Sequence, residues 1–339
     1  MNRCLQLAQL GAGYVAPNPM VGAVLRYKDT IIGEGYHQKF GEPHAEVNCI
    51  KSVATQHQPL IKESTLYVSL EPCAHFGKTP PCTHLIIDQK IPEVIIACRD
   101  PFEKVNGHGI ELLKKAGIRV TEAVLENEAK ELNKRFFTFH QKKRPYIFLK
   151  WAQSADGFIA GENFKAFKIS NDFTNRFTHH MRSTEAAIMV GSHTARQDNP
   201  SLTTRFWPGK NPVRVVMDKQ LQLANDAALF ADNATTIVLN DLKQEIAGPV
   251  HFIKLNKKEP VLRALMDELY LRNINSLIVE GGSILLQSFI QEGLWDEALV
   301  ITNYALTIHK GIAALSLPAD KMAEKFNLLS DEIKLYKNN

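Results

Sequence analysis

The sequence predicts two α/β domains in series, the first a three-layer α/β/α sandwich, and three observations lead there. Its 339 residues exceed what one compact core ordinarily takes in. Short apolar, β-branched runs alternate with helix-like stretches through both halves, the pattern of strands covered by helices. Across Phe136-Phe137-Thr138-Phe139-His140 and Gln141-Lys142-Lys143-Arg144-Pro145 aromatic residues give way to charge and then proline, which reads as a linker and divides the chain into 1–144 and 145–339. A hydrophobic content of 45% with 22% charged residues is that of an ordinary globular protein.

Taken in order, Cys4, Leu5, Leu7, Ala8 and Leu10 give a helical apolar face that stops at Gly11 and Gly13. Val21 to Leu25 and Ile31 to Tyr36 form a hairpin about Tyr27-Lys28-Asp29-Thr30, with His37 just beyond it. A helix begins near Pro43-His44, since proline tolerates a helix start. Thr65 to Leu70 is a buried strand that Pro72 ends, Cys82 opens the next helix, and Glu93 to Cys98 is another strand. A helix from Gly109 to Gly117 and a strand at Ile118 to Val120 close the first domain. Packing across the domain junction is the expected use of the linker aromatics, in preference to base stacking.

In the second half, Tyr146 to Ala152 is a strand leading into the turn Ser154-Ala155-Asp156-Gly157. A helix from Asn171 to Arg182 precedes the strand Ala186 to Gly191. Strands follow at Val213 to Met217, Thr235 to Leu239 and Val250 to Ile253, then a helix from Pro260 to Leu271. Ser276 to Ser283 reads as strand, glycine turn and helix start. The chain closes on what reads as a short charged tail.

Two segments carry the chemistry. His44, with Glu46 two residues on, and Cys73 with Cys82 after an eight-residue interval, read as one zinc site. One imidazole and two thiolates suit tetrahedral zinc, and three protein ligands leave one position open. Glu46 is close enough to move protons there without being a ligand. A closed structural site, with His75 or His84 as fourth ligand, is the alternative. In the second half, Gly281-Gly282-Ser283 opening a helix offers backbone N–H groups to a phosphate.

Pro17-Asn18-Pro19-Met20-Val21-Gly22 and Glu71-Pro72-Cys73-Ala74-His75-Phe76-Gly77-Lys78-Thr79-Pro80-Pro81-Cys82 resemble the deaminase half of the bifunctional deaminase/reductases of riboflavin biosynthesis. The stretches from Lys150 to Gly157, Gly191 to Arg205 and Val279 to Gly282 resemble the reductase half. The resemblance implies a cytidine-deaminase-like domain followed by a dihydrofolate-reductase-like α/β domain. It implies one zinc per chain on His44, Cys73 and Cys82, proton transfer by Glu46, and substrate contacts at Asn18, His37, His75, Lys78 and Asp100. For the second domain it implies NADPH held by Ala152, Thr194, Asp198, Gly281, Gly282, Ser283, Ile284, Leu285 and Leu286. Substrate would meet Lys150, Arg182, Leu202, Arg205 and Glu280. Phe102, Lys168-Ile169-Ser170 and Asn303-Tyr304-Ala305-Leu306-Thr307 depart from the family pattern.

The implied reactions are deamination of a small pyrimidine nucleotide and reduction of its ribosyl group. A net charge of +4 without a dense basic tract points away from nucleic acid, and no apolar run is long enough for a membrane. A cytoplasmic homo-oligomer is expected; an odd count of five cysteines is no disulfide framework. Other readings are an RNA or tRNA base deaminase whose second domain grips nucleic acid, and an inactive zinc- and NADPH-binding protein.

Overall fold

A computed structural model describes residues 1–74, 80–103, 105–162, 167–256 and 258–338. It divides into two compact units, Met1–Lys143 and Arg144–Asn339.

The first unit contains α1 (Asn2–Gln9), β1 (Gly22–Tyr27), β2 (Thr30–Tyr36), α2 (Ala45–Lys51), β3 (Thr65–Val68), α3 (Cys82–Asp88), β4 (Glu93–Ile96), α4 (His108–Lys115), β5 (Arg119–Thr121), α5 (Glu126–Leu132) and α6 (Lys134–Lys142). Its strands lie in the order β2-β1-β3-β4-β5, antiparallel about β1 and parallel from β3 to β5. Alternation along β1 explains the layers. Ala23 and Leu25 pack with Ala45 and Cys49 of α2 and Ile110 of α4, while Val24 packs on the other face with Cys4 and Leu7 of α1. A side chain at Gly22 would place its Cβ 2.0 Å from the Cys4 carbonyl oxygen, so α1 reaches β1 only because residue 22 has none. Cys73 follows β3 and Asp100 follows β4, at the carboxyl ends of neighbouring parallel strands, where α/β sheets form their crevices.

The second unit contains β6 (Tyr146–Ser154), β7 (Phe158–Gly161), α7 (Asp172–Thr184), β8 (Ala187–Gly191), α8 (Ser192–Asp198), β9 (Val213–Met217), β10 (Thr236–Asn240), β11 (Glu245–Ala247), β12 (Val250–Lys254), α9 (Val261–Leu271), β13 (Ser276–Val279), α10 (Ser283–Gln291), β14 (Glu297–Asn303), β15 (Gly311–Ala313), β16 (Met322–Leu328) and β17 (Asp331–Lys337). Among the described residues its large sheet runs β11-β12-β10-β9-β8-β13-β6-β14-β17-β16, parallel from β12 to β14 and antiparallel at both edges. Ile147, Leu149 and Trp151 of β6 bury against α9 and α10; Tyr146 and Phe148 bury on the opposite face, where α7 contributes Phe177 and Met181. Val279 pairs with both Leu149 and Met189, which sets Glu280 abreast of Lys150 at the strand ends.

Two expectations are corrected. The aromatic stretch is no linker but helix α6, and Phe136 and Phe137 pack on Leu70, Ala97, Cys98 and Ala129 in the first unit's own core. Helical spacing gathers its aromatics on one side, and that face is buried there. The charged tail is strand: β17 lies between β14 and β16, with Ile333 fully buried and the Glu332 carboxylate paired with Lys325 and Lys334. Strand alternation hides the apolar residues between charges, so composition alone misleads.

Candidate active sites

In the first unit, local chain geometry turns each soft donor toward one point. His44 is the N-cap of α2 in extended conformation, with φ −72° and ψ 167°, so its side chain projects from the helix mouth. Glu46 lies in the first turn of α2 and is 3% exposed. Cys82 is the first residue of α3, and its backbone N–H donates to the Cys73 sulfur at 3.3 Å. His44 Nδ1 stands 3.6 Å from Cys73 Sγ and 3.4 Å from Cys82 Sγ, and all three donors lie within 4.8 Å of one another.

Zinc fits this set. Bonds of about 2.05 Å to nitrogen and about 2.3 Å to sulfur at a tetrahedral angle put those two atoms about 3.6 Å apart. The thiols are already polarised for a cation. The hydrogen bond between the two thiol groups pulls Cys73 well down, while that same bond and burial push Cys82 up, so its ionisation calls for positive charge. Burial pushes the Glu46 carboxyl up, with the Cys73 charge adding and His44 opposing. Among the described residues the metal-ligand cluster has three members, and His84 is exposed and outside it.

Around these donors, His37 has its ring 5.4 Å from that of His44. Its Nδ1 lies 3.1 Å from the Pro43 carbonyl, which only accepts, so the proton sits on Nδ1; Nε2 then accepts from Asn18 Nδ2 at 3.2 Å. Burial lowers the His37 pKa and favours that neutral form. Asp100 is 8% exposed, and burial pushes its carboxyl up to about 7 although the Phe102 N–H donates to it. His75 and Lys78 lie outside the described residues.

The second unit holds a cavity of about 730 Å³ at the carboxyl ends of β6, β8, β9 and β13. Ala152, Thr194, Asp198, Gly281, Gly282, Ser283, Ile284 and Leu285 line it. Leu286 does not: its side chain is fully buried in the core and its N–H donates to the Gly282 carbonyl, leaving it nothing to offer a ligand. Gly282 has an ordinary φ of −60°, so the turn asks for small size there and not for a special dihedral. A Cβ on Gly282 would lie 3.1 Å from the Thr194 hydroxyl, which accepts the Gly282 N–H at 3.0 Å. One on Gly281 would lie 2.7 Å from Leu285 Cδ2 and 3.2 Å from the Gly191 nitrogen. No side chain caps α10, so its first N–H groups and positive dipole end are open at the cavity, an arrangement that suits an anion.

Lys150 and Glu280 also line the cavity. Glu280 accepts two bonds of 2.7 Å from Arg182 and lies 3.5 Å from the Lys150 ammonium. Burial alone would raise its pKa, but Arg182 and then Lys150 hold it at about 2. Burial lowers Lys150, whereas for Arg182 the attraction of Glu280 outweighs burial; the short bidentate pair is the stronger bond of the two. Arg182 also donates to the Thr203 carbonyl, so three of its five N–H groups are engaged by Glu280 and Thr203. Arg205 is the freer cation, exposed and bonded to Ser201 Oγ at 3.0 Å. Leu202 is buried in the core with φ 52°, a left-handed backbone that shapes the loop between those two arginines' contacts.

Three residues escaped the sequence reading. His179 lies one helical turn before Arg182 and beside Phe206, and burial together with Arg182 and Arg205 lowers it to about 4. Its i,i+3 spacing from Arg182 was the available signal. Lys219, just past β9, lines the cavity, and Glu71, two residues before Cys73, is buried.

Comparison with known proteins matches residues 1–98 to the cytidine and deoxycytidylate deaminase zinc-binding region and residues 145–305 to the RibD C-terminal domain. The riboflavin biosynthesis protein RibD of Aquifex aeolicus is 40% identical over 88% of this chain and 85% of its own length. This chain belongs to the RibD family. Escherichia coli RibD is 34% identical over 98% of this chain and 95% of its own. A Thermotoga maritima crystal structure, described as a diaminohydroxyphosphoribosylaminopyrimidine deaminase/5-amino-6-(5-phosphoribosylamino)uracil reductase, superposes with a TM-score of 0.90 at 36% identity, covering 99% of this chain and 97% of that one. As a RibD-family member the chain is a deaminase and reductase of riboflavin biosynthesis, with a cytidine-deaminase-like first domain and a reductase second domain. Zinc and NADPH are its cofactors. No described helix is long and apolar enough to cross a membrane.

Proposed function

We propose that residues 1–144 hydrolytically deaminate a diaminopyrimidinone carrying a phosphoribosylamino group, and that residues 145–339 reduce the ribosyl group of the product to ribityl with NADPH. The observation that carries the first half is the convergence of His44, Cys73 and Cys82 beside the buried Glu46. Zinc held by these three supplies Lewis acidity toward water. Glu46 takes a proton from the attacking water and delivers it to the departing ring amine, which leaves as ammonia. His37, fixed as its Nδ1–H tautomer, offers the substrate an acceptor shared with Asn18. Asp100, with His75 and Lys78, completes the contacts to the pyrimidine and its ribose phosphate.

In the second domain NADPH supplies the hydride. Its phosphates are assigned to the Gly281-Gly282-Ser283 turn and the start of α10, with Ala152, Thr194, Asp198, Ile284 and Leu285 around them. Lys150, kept beside Glu280 and Arg182, meets the sugar, and Arg205, exposed and less engaged than Arg182, takes the substrate phosphate with Arg182 beside it. Leu202 holds the loop that presents Arg205. The slight net charge supports a free nucleotide over nucleic acid as substrate, and a cytoplasmic homo-oligomer is part of this reading, checked by light scattering.

One assay tests both halves: the diaminopyrimidine nucleotide is supplied, and ammonia and NADPH are followed separately. Ammonia release without NADPH, followed by NADPH oxidation in step with product, is expected. Ammonia from a folded RNA but not from the free nucleotide would overturn the reading, as would NADPH binding with neither reaction.

A further inference from the structure

Two residues before the donor Cys73 lies a carboxylate that no step above uses. Glu71 is 4% exposed, and among the described residues no lysine or arginine forms an ion pair with it. Its hydrogen bonds come from backbone N–H groups. One oxygen accepts from the N–H groups of Asp100 at 3.3 Å and Gly107 at 2.9 Å; the other accepts from Gly109 at 2.9 Å and Ile110 at 3.3 Å. Gly109 and Ile110 belong to the first turn of α4, whose own N-cap, Gly107, has no side chain to offer. A carboxylate from a different segment thus caps the helix and meets its positive dipole end.

What this clamp joins is unusual for a cap. Glu71 is two residues before Cys73, and its own N–H donates to the Cys98 carbonyl at 3.0 Å, continuing the β3–β4 pairing. The peptide between Glu71 and Cys73 presses on α4 so closely that a Cβ on Gly109 would lie 2.1 Å from the Pro72 carbonyl oxygen. Asp100, held through its backbone, opens the loop that runs from β4 to α4. A single side chain therefore sets the distance between a metal-donor segment and the Asp100 loop. Loops carrying binding groups need such fixing, because a site loosened by an ångström loses much of its rate.

We propose that Glu71 is a positioning residue of the deaminase, holding the Asp100 loop against the Pro72-Cys73 segment so that Asp100 meets substrate already seated at the metal donors. This rests on the reading above that Asp100 touches substrate. Glu71 itself reaches neither substrate nor metal; it acts through the backbone of Asp100.

The test is a cycle in the full-length, zinc-loaded chain: Glu71→Gln, Asp100→Asn and both together, with ammonia release, NADPH oxidation and zinc content measured. An amide accepts on one side only and turns its NH₂ toward two backbone donors, so Glu71→Gln loosens the clamp at nearly unchanged size. Expected is a roughly 10–100-fold loss of kcat/KM for ammonia release, carried chiefly by KM, with zinc and reduction retained. The double variant should be no worse than Asp100→Asn by more than about 2-fold, because both changes break one path. Glu71→Asp, which keeps the charge, should recover part of the loss, and it replaces Glu71→Gln in the cycle if the amide variant does not fold. Losses that multiply in the double variant would overturn the proposal, as would loss of zinc, or a lowered unfolding midpoint with kcat/KM intact. A silent Asp100→Asn would remove both the Asp100 reading and the role of Glu71, whereas a costly Asp100→Asn beside a silent Glu71→Gln would remove the role of Glu71 alone.

Discussion

Replacing Glu280 by glutamine tests the electrostatic centre of the reductase site, and its effect can be worked from the geometry in two ways. The folded pKa of about 2 lies below the ordinary 4.5 because two 2.7 Å bonds from Arg182 and the Lys150 ammonium outweigh burial. A depression of that size corresponds to about 3 kcal/mol of stability. Removing one partner of a buried ion pair independently costs about 3–5 kcal/mol, because it leaves charge without compensation. The lower end is expected here: Arg182 must stay charged, but Lys150, already lowered by burial, can release its proton. Because the folded pKa is depressed, this stability is fully present above pH of about 4.5 and is lost as pH falls toward about 2. All three tryptophans, Trp151, Trp207 and Trp295, lie in the second unit, so their fluorescence during urea unfolding reports that unit alone. Glu280→Gln should be about 3 kcal/mol less stable than the parent at pH 7, with the gap closing through that acid window as the parent glutamate becomes neutral. A gap below about 1 kcal/mol at pH 7, or one that does not change across the window, would refute the reasoning.

Cys73→Ser or Cys82→Ser should strip zinc from the first domain by metal analysis, and full retention in both variants would mean another ligand set. Glu46→Gln should keep zinc while ammonia release falls ~10²–10⁴-fold; a loss smaller than about 3-fold would move the proton to a different group. Gly282→Val brings a branched side chain to a position whose Cβ already lies 3.1 Å from the Thr194 hydroxyl, so it should raise the NADPH requirement or abolish reduction and leave ammonia release unchanged. Tryptophan fluorescence supplies the folding control, and equal loss of both activities in folded protein would sink the assignment of separate sites.

Much of this molecule is written locally. His44, Cys73 and Cys82 each stand directly after a proline or one residue from a helix start, and such breakers end strands and open helices wherever they occur. Donor type and local turn together were therefore readable without a fold, as was the Gly281-Gly282 turn before an apolar helix. Many of the strands and helices through residue 291 followed from the same short-range patterns, although α5, α6, β7, α8 and β11 did not.

Other features depended on what the chain meets far along its length. Phe136 and Phe137 look like linker until Leu70 and Ala97 cover them, and β17 looks like a tail until β14 pairs with it. The guanidinium of Arg182 shows no partner in the sequence until Glu280, 98 residues away, accepts two of its N–H groups. Glu71 is one acidic residue in a motif until Gly109, 38 residues on, donates to it. Local sequence chooses turns, caps and donor atoms because those depend on a few neighbouring dihedrals. Which buried charge finds its partner depends on strand order and on burial, which makes an unpaired polar group too costly to leave alone, and only the folded chain settles that.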